Sequence, residues 1–425
     1  MISNSPPNVI SLHPKLTVES FYSTYFDFVG KTEAPRLYHR WCIVAGIAAI
    51  LERSCHIPFG HKSLFSNQFI ILVGSPGARK NTSIDITRSC LERQGYNRFS
   101  SDRTSKERFL MDLCTGFTSV LDADAAEEFL DLPLDLISTR FICIGEFLDF
   151  VGKGNLEFVT MLGNLWDNLE HYEHPKIHGR SILVPNPTVN ILGGTTAQSF
   201  LLAVPPEATG QGFMSRLILV QGETTGVKIT RPEPPGEVAK GAIDERIERV
   251  VSTMRGRVMI APDAHKICDR IYKEFHDLED HRFKHYSTRR YSHLLKLSLT
   301  FAAFRCSLEI SALDVVQANT LLHFTETKMS KALGEYGKAR NSDVANSVLE
   351  IIKHSRTPVN AKRLWKQLAQ DLNKQEELLE ILKGLIAANK IKSVGLEGFV
   401  PHHEKSVRWD ESLLDLSFLT EEEMM

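Results

Sequence analysis

Five apolar residues in a row, Phe69-Ile70-Ile71-Leu72-Val73, run directly into Gly74-Ser75-Pro76-Gly77-Ala78-Arg79-Lys80-Asn81-Thr82-Ser83. A short apolar run without alternation, rich in β-branched residues, predicts a strand buried on both faces, as in a parallel sheet covered by helices. The turn after it is rich in glycine and proline, and Ile84 to Leu91 predicts a helix. Strand, glycine-rich turn with a lysine, then helix is a layout that cradles an anion. Glycines let consecutive backbone N–H groups face it, and the helix N-terminus adds partial positive charge.

The full phosphate-loop pattern is Gly, four residues, Gly, Lys, then Ser or Thr. Here Arg79 stands at the second glycine position and Asn81 at the hydroxyl position, with Thr82 the nearest hydroxyl able to take a metal. Gly74 through Ser83 are therefore the candidate residues for ATP, Lys80 reaching its β- and γ-phosphates and Thr82 holding Mg²⁺. The competing reading is an ordinary strand–turn–helix corner that contains a lysine.

A chain of 425 residues is too long for one core and implies two or three domains. Its apolar content of 42%, charged content of 24% and formal net charge of −2 describe a globular protein without a general basic coat. No apolar run approaches the roughly 20 residues that span a bilayer, and no membrane partner is expected. The first 14 residues lack the apolar core of a signal peptide, and the seven cysteines include no C-x-x-C pair, so a reducing, cytoplasmic setting is expected.

Further along, Arg140-Phe-Ile-Cys-Ile-Gly-Glu146 predicts a second buried strand ending in a carboxylate. Glu146 there could polarise water and assist the metal, although the aspartate that usually precedes such a glutamate is replaced by Gly145, leaving Asp149 as a weak substitute. Thr188 to Leu192 predicts a third strand, ending in Gly-Gly-Thr195-Thr196, where either threonine could sense a γ-phosphate. Between them, Trp166-Asp167-Asn168 has no assigned purpose. His171, His174 and His178 lack a spacing that makes a metal site, and His174 to Val184 reads instead as a hairpin carrying Lys176, His178 and Arg180. Ser215-Arg216 opens a fourth strand, where a buried guanidinium requires an anion.

Residues 1–16 read as disordered and 17–230 as an α/β core with a helical lead-in. Residues 237–340 read as a helical lid and 341–402 as a winged helix, whose expected recognition helix is acidic. The alternating acidic and apolar residues of 403–425 read as a disordered tail for a partner.

This series of landmarks resembles the AAA+ P-loop ATPases over roughly residues 35–400, and within them is most similar to the minichromosome maintenance helicases. Gly212-Phe-Met-Ser-Arg216-Leu217 looks like their arginine finger, and the helix bearing Arg289-Arg290 looks like their lid helix with its second sensor arginine. Tyr38 to Val220 also looks like phage and plasmid P-loop proteins associated with primases, whose loop contains a similar Pro-Gly-x-Arg-Lys. The resemblance implies an ATP-dependent, phage-encoded replication helicase working as a ring, usually of six, on single-stranded DNA. Lys176, His178 and Arg180 would line the pore. Glu146 and Arg216 would be catalytic, Thr195 or Thr196 would sense phosphate, and Arg289 or Arg290 would sense nucleotide. Replication partners (a primase, polymerase or single-strand-binding protein) would dock on the tail. The rival expectation is a nucleotide-switch adaptor or loader with little motor activity.

Overall fold

A computed structural model describes residues 16–114, 137–174, 182–204, 212–278, 280–333 and 410–424, and, with short gaps, 342–401. Residues up to 332 and from 412 onward form one compact unit, and 333–411 form a second.

The first unit is built on a four-stranded sheet. Ser138–Ile144, Pro187–Thr195, Phe69–Val73 and Leu217–Gln221 lie side by side in that order, all parallel. Phe69–Val73 is at most 1% exposed at every position, as its unbroken apolar run requires. Register sets the heights of the strand ends. Val73 lies opposite both Thr195 and Gln221, and Ile144 lies opposite Gly193, so the strand ends carrying Gly74, Gly145 and Thr195 come out together at one edge. At the outer edge Phe99 makes a single parallel bridge to Phe141.

Helix Arg36–Leu51 is buried almost all round and packs on Lys80–Arg93, the helix leaving the glycine-rich loop. Gly46 sits at that contact, where a β-carbon would come within 2.8 Å of the Thr87 methyl. Helix Val18–Val29 starts at a Thr17–Ser20 capping box and stacks Phe21 on Phe304 at 3.9 Å. The helical region expected as a separate lid is joined to this core. Gly256–Arg257 pairs in parallel with Cys55–Phe59, and Trp41 donates to Thr325 at 2.9 Å.

The C-terminal residues are not a free tail. Leu413, Phe418 and Leu419 are buried, Asn319 donates to Leu413 O at 2.9 Å, and Glu423 receives the guanidinium of Arg40. Arg40 is 5% exposed and lies over the rings of Tyr22 and Phe418. A cation buried there requires a carboxylate, and the acidic run supplies it. The apolar residues expected to meet a partner are largely spent on the protein's own core; Leu416 remains exposed.

The second unit has helices Ser342–Lys353, Ala361–Leu368 and Gln375–Ala387, then an antiparallel ribbon of Ile391–Ser393 and Phe399–Pro401. Val359 bridges Phe399 as a third strand position. Gly398, at φ +126, allows that approach: a β-carbon there would fall 2.5 Å from Val359 O.

Replacing Glu423 with Ala leaves the Arg40 charge buried and unpaired, and should destabilise the first unit by about 3 kcal/mol. Thermal or urea unfolding measures this; an unchanged transition would detach the C-terminal residues from the core.

Candidate nucleotide-phosphate site

The loop's backbone is held from both sides. The Tyr38 hydroxyl lies between Val73 O at 2.7 Å and Gly222 O at 2.9 Å, tying together the ends of two neighbouring strands. Gly74 leaves no room for a side chain between that hydroxyl and Gly222 O. Gly77 takes φ +88 and Arg79 takes φ +58, ψ 29. Glycine is favoured in the left-handed region, so Arg79 sits in glycine's conformation at the position where the loop pattern has glycine. Its side chain turns outward to Glu33 at 2.6 Å, and Glu33 also accepts from Ile229 N at 2.7 Å. These contacts lower the Glu33 carboxyl, the Ile229 bond first. Residues 224–230 thereby border a cleft of about 550 Å³ with Glu33, Gly77 and Arg79.

Lys80 is the first residue of the helix and is 8% exposed. Its ammonium donates to Gly74 O at 2.8 Å and Ser75 O at 3.1 Å, folded back onto the start of its own loop. Burial lowers its pKa, and the Glu146 carboxylate opposes that shift. Glu146 follows its strand and stands at the head of the short helix Phe147–Val151. Thr195 Oγ1 donates to Glu146 Oε1 at 3.2 Å. Desolvation raises the Glu146 carboxyl above the usual carboxylate range, with the Thr195 bond pulling the other way. A carboxylate so placed can orient a water and take its proton.

Thr195 and Thr196 divide their work. Thr196 caps helix Ala197–Ala203, accepting from Ser199 N at 3.0 Å, while Thr195 faces Glu146. Asp149 ion-pairs with Arg103 at 3.3 Å, and the space that a side chain at Gly145 would take is filled from elsewhere. Asn81 fills that place: a β-carbon on Gly145 would lie 2.7 Å from Asn81 Nδ2, and one on Gly194 would lie 3.5 Å from Asn81 Oδ1. Thr82, the next helical residue, projects about 100° away. Asn81 rather than Thr82 therefore faces the strand-end side. Ser83 is buried with its hydroxyl 3.5 Å from His39 Nε2, on the core side of the helix.

The arginines lie elsewhere. Leu217 is in register with Phe69, so Arg216 stands at the opposite edge of the sheet, about 16 Å along the strand from the loop. The anion that its burial requires comes from this chain. Its guanidinium reaches Asp167, which also accepts from Arg289 at 2.8 Å, and it donates to Gly212 O at 2.6 Å. Arg290 is a core residue: 2% exposed, it donates to Glu326 at 2.8 Å and Asn319 at 2.9 Å.

The hairpin strands are present as His171–His174 and Ile182–Pro185, but Lys176, His178 and Arg180 lie outside the described residues. Among the described residues no group of three or more His, Cys, Asp or Glu side chains could hold a metal.

Sequence reasoning missed Tyr38, Glu33 and Asp167. Tyr38 hid in an apolar helix, and Glu33 in the turn before it. Asp167 belonged to the unassigned Trp-Asp-Asn run, whose three polar or aromatic residues between two strands were the available signal.

Gly145→Ala should drive a methyl into the Asn81 amide and destabilise the protein by about 1–3 kcal/mol. Adding Asn81→Ser should recover much of that loss, because the colliding atoms are removed. A double-mutant cycle by denaturant unfolding checks the coupling; additive losses would show that the two positions do not share the space. No protein-family model matches this chain and no curated protein matches it, so what the site does rests on its own geometry.

Proposed function

We propose that the chain is a P-loop ATPase of AAA+ type that binds Mg²⁺·ATP on Gly74–Asn81 and hydrolyses it with Glu146. The observation that carries this reading is the meeting of Lys80, Glu146 and Thr195 at one edge of a parallel sheet, around the N-terminus of helix Lys80–Arg93. Residues present fit the nucleotide. Lys80 would exchange its contacts with Gly74 O and Ser75 O for phosphate oxygens, and the cleft beside Gly77 and Arg79 has room for base and ribose. Mg²⁺ would be held mainly by phosphate oxygens and water, with Asn81 Oδ1 in place of the usual hydroxyl. When bound, it would neutralise charge between β- and γ-phosphates. Glu146, hydrogen-bonded by Thr195, holds the proton-accepting oxygen in place.

The wider reading is a replication helicase or translocase that works as a ring on single-stranded DNA. It is supported by Arg216 and Arg289, which stand too far from their own loop to meet its phosphates and so would serve a second copy. The three helices and ribbon of residues 342–401 support the winged-helix assignment. Lys176, His178 and Arg180 would grip DNA.

A nucleotide switch with slow turnover is the second reading, and the Asn81–Gly145 contact favours it. With an amide in place of both hydroxyl and aspartate, a metal would be held weakly from the protein side.

Lys80→Ala should weaken binding of a fluorescent ATP analogue at least tenfold, by loss of a charge-assisted contact to phosphate. Glu146→Gln should bind as wild type and lose turnover. Burial raises the Glu146 carboxyl, so the acid limb of turnover should lie at higher pH than an ordinary carboxylate would give. A pH–rate profile without this acid limb would remove Glu146 as the base. Stimulation of turnover by single-stranded DNA separates motor from switch.

A further inference from the structure

One side of the cleft beside the loop is held by a single residue from the turn between helices Val18–Val29 and Arg36–Leu51. Glu33 works there through both its main chain and its side chain. Its carbonyl oxygen accepts from Thr225 Oγ1 at 2.9 Å, and its carboxylate accepts from Ile229 N at 2.7 Å. Residues 224–230 are thereby fixed at two points, and with Glu33, Gly77 and Arg79 they border the space of about 550 Å³.

The two carboxylate oxygens are used unequally. Oε2 takes both Arg79 nitrogens, Nε at 2.7 Å and Nη2 at 2.6 Å, which fills its lone pairs. Oε1 takes Ile229 N alone among the described residues, so one acceptor position on it remains open. The side chain is 20% exposed, within reach of a molecule in the cleft. The Ile229 bond first, and then Arg79, hold the carboxyl below the usual carboxylate range, so at neutral pH it accepts and does not donate. Such a group rejects a phosphate oxygen at contact distance, since both have only lone pairs to offer, and takes an O–H or N–H instead.

The loop decides which part of a nucleotide lies there. The carboxylate is one arginine side chain away from the Arg79 backbone, and Arg79 immediately precedes Lys80, whose ammonium marks the phosphate side. In a nucleotide the sugar is joined to the phosphates and the base lies beyond it. A group so close to the loop meets the sugar first. We propose that Glu33 is a specificity-determining residue of the nucleotide site, its Oε1 accepting from one ribose hydroxyl and thereby selecting nucleotides that carry it. The proposal rests on the nucleotide-binding reading of the loop.

The test is displacement of a fluorescent ATP analogue, labelled away from the sugar, from the full chain by ATP, 2′-deoxy-ATP and 3′-deoxy-ATP. Wild type should bind one of the two deoxynucleotides about tenfold more weakly than ATP, the loss of one hydrogen bond to a charged group. In Glu33→Ala the three should compete equally. Equal competition in wild type, or a preference that survives in Glu33→Ala, overturns the proposal. A wild-type preference between ATP and GTP that Glu33→Ala abolishes, with the sugar making no difference, overturns it too, because the carboxylate would then lie at the base. If Glu33→Ala does not fold, Glu33→Asp keeps the charge and draws the oxygens back by one methylene. The preference should fall toward equality in that variant, and its full retention counts against Glu33. Failure of the underlying reading looks different: Lys80→Ala would bind the analogue as tightly as wild type, and the Glu33 proposal falls with it. Binding lost in Lys80→Ala, with the three nucleotides equal in wild type, keeps the nucleotide site and removes only the role of Glu33.

Discussion

The candidate site depends on parallel register. Four strands running the same way place all their C-terminal ends at one edge, and the pairing of Val73 with Thr195 and of Ile144 with Gly193 sets their heights. Pro187–Thr195 lies between the loop strand and the strand leading to Glu146. Thr195 is therefore beside Glu146 on one side and the start of the loop on the other, with Gly74 N donating to Thr195 O at 3.3 Å. A slip of one residue in that central strand would turn Thr195 to the other face of the sheet. Tyr38 secures the arrangement from the remaining side by joining Val73 and Gly222.

Buried charge is the second constraint, and this fold answers it repeatedly from distant parts of the chain. Arg40 is met by Glu423, Arg290 by Glu326, and Arg216 with Arg289 by Asp167. Arg40, Arg290 and Arg216 would each cost several kcal/mol if stranded without a partner in a dry interior. The three pairs do different things. The first anchors the C-terminal residues, the second joins helices Lys284–Phe304 and Ala312–Leu333, and the third is partly open to water.

The loop shows how a departure from a pattern is absorbed. Arg79 takes the left-handed backbone that the motif assigns to glycine, at a cost of about 1 kcal/mol, and its ion pair with Glu33 offsets part of it. Asn81 and Gly145 depart together, the larger side chain of one filling the space left by the absent side chain of the other. Each looks like a lost ligand in the sequence. In space they are one packing solution at the strand end.

What could be read from sequence alone was set by local chemistry. An unbroken apolar run predicts a strand buried on both faces, glycine and proline predict the turn, and helical spacing predicts Arg36–Leu51, because these depend on neighbours within a few residues. Glu146 at a strand end and the three-helix unit with its ribbon were legible on the same grounds. That Thr195 rather than Thr196 faces Glu146, that Asn81 lies against Gly145, the enclosure of Arg290 and the capture of the C-terminal residues by Arg40 were not. Each is decided by which side chain lies across a gap of tens to hundreds of residues in the chain, as Arg40 does from Glu423. An arginine before a strand, or an acidic and apolar C-terminal stretch, carries the same local pattern whether its partner is another molecule or its own core. Only the tertiary structure brings Asp167 to Arg216 and Glu423 to Arg40, and thereby decides which it is.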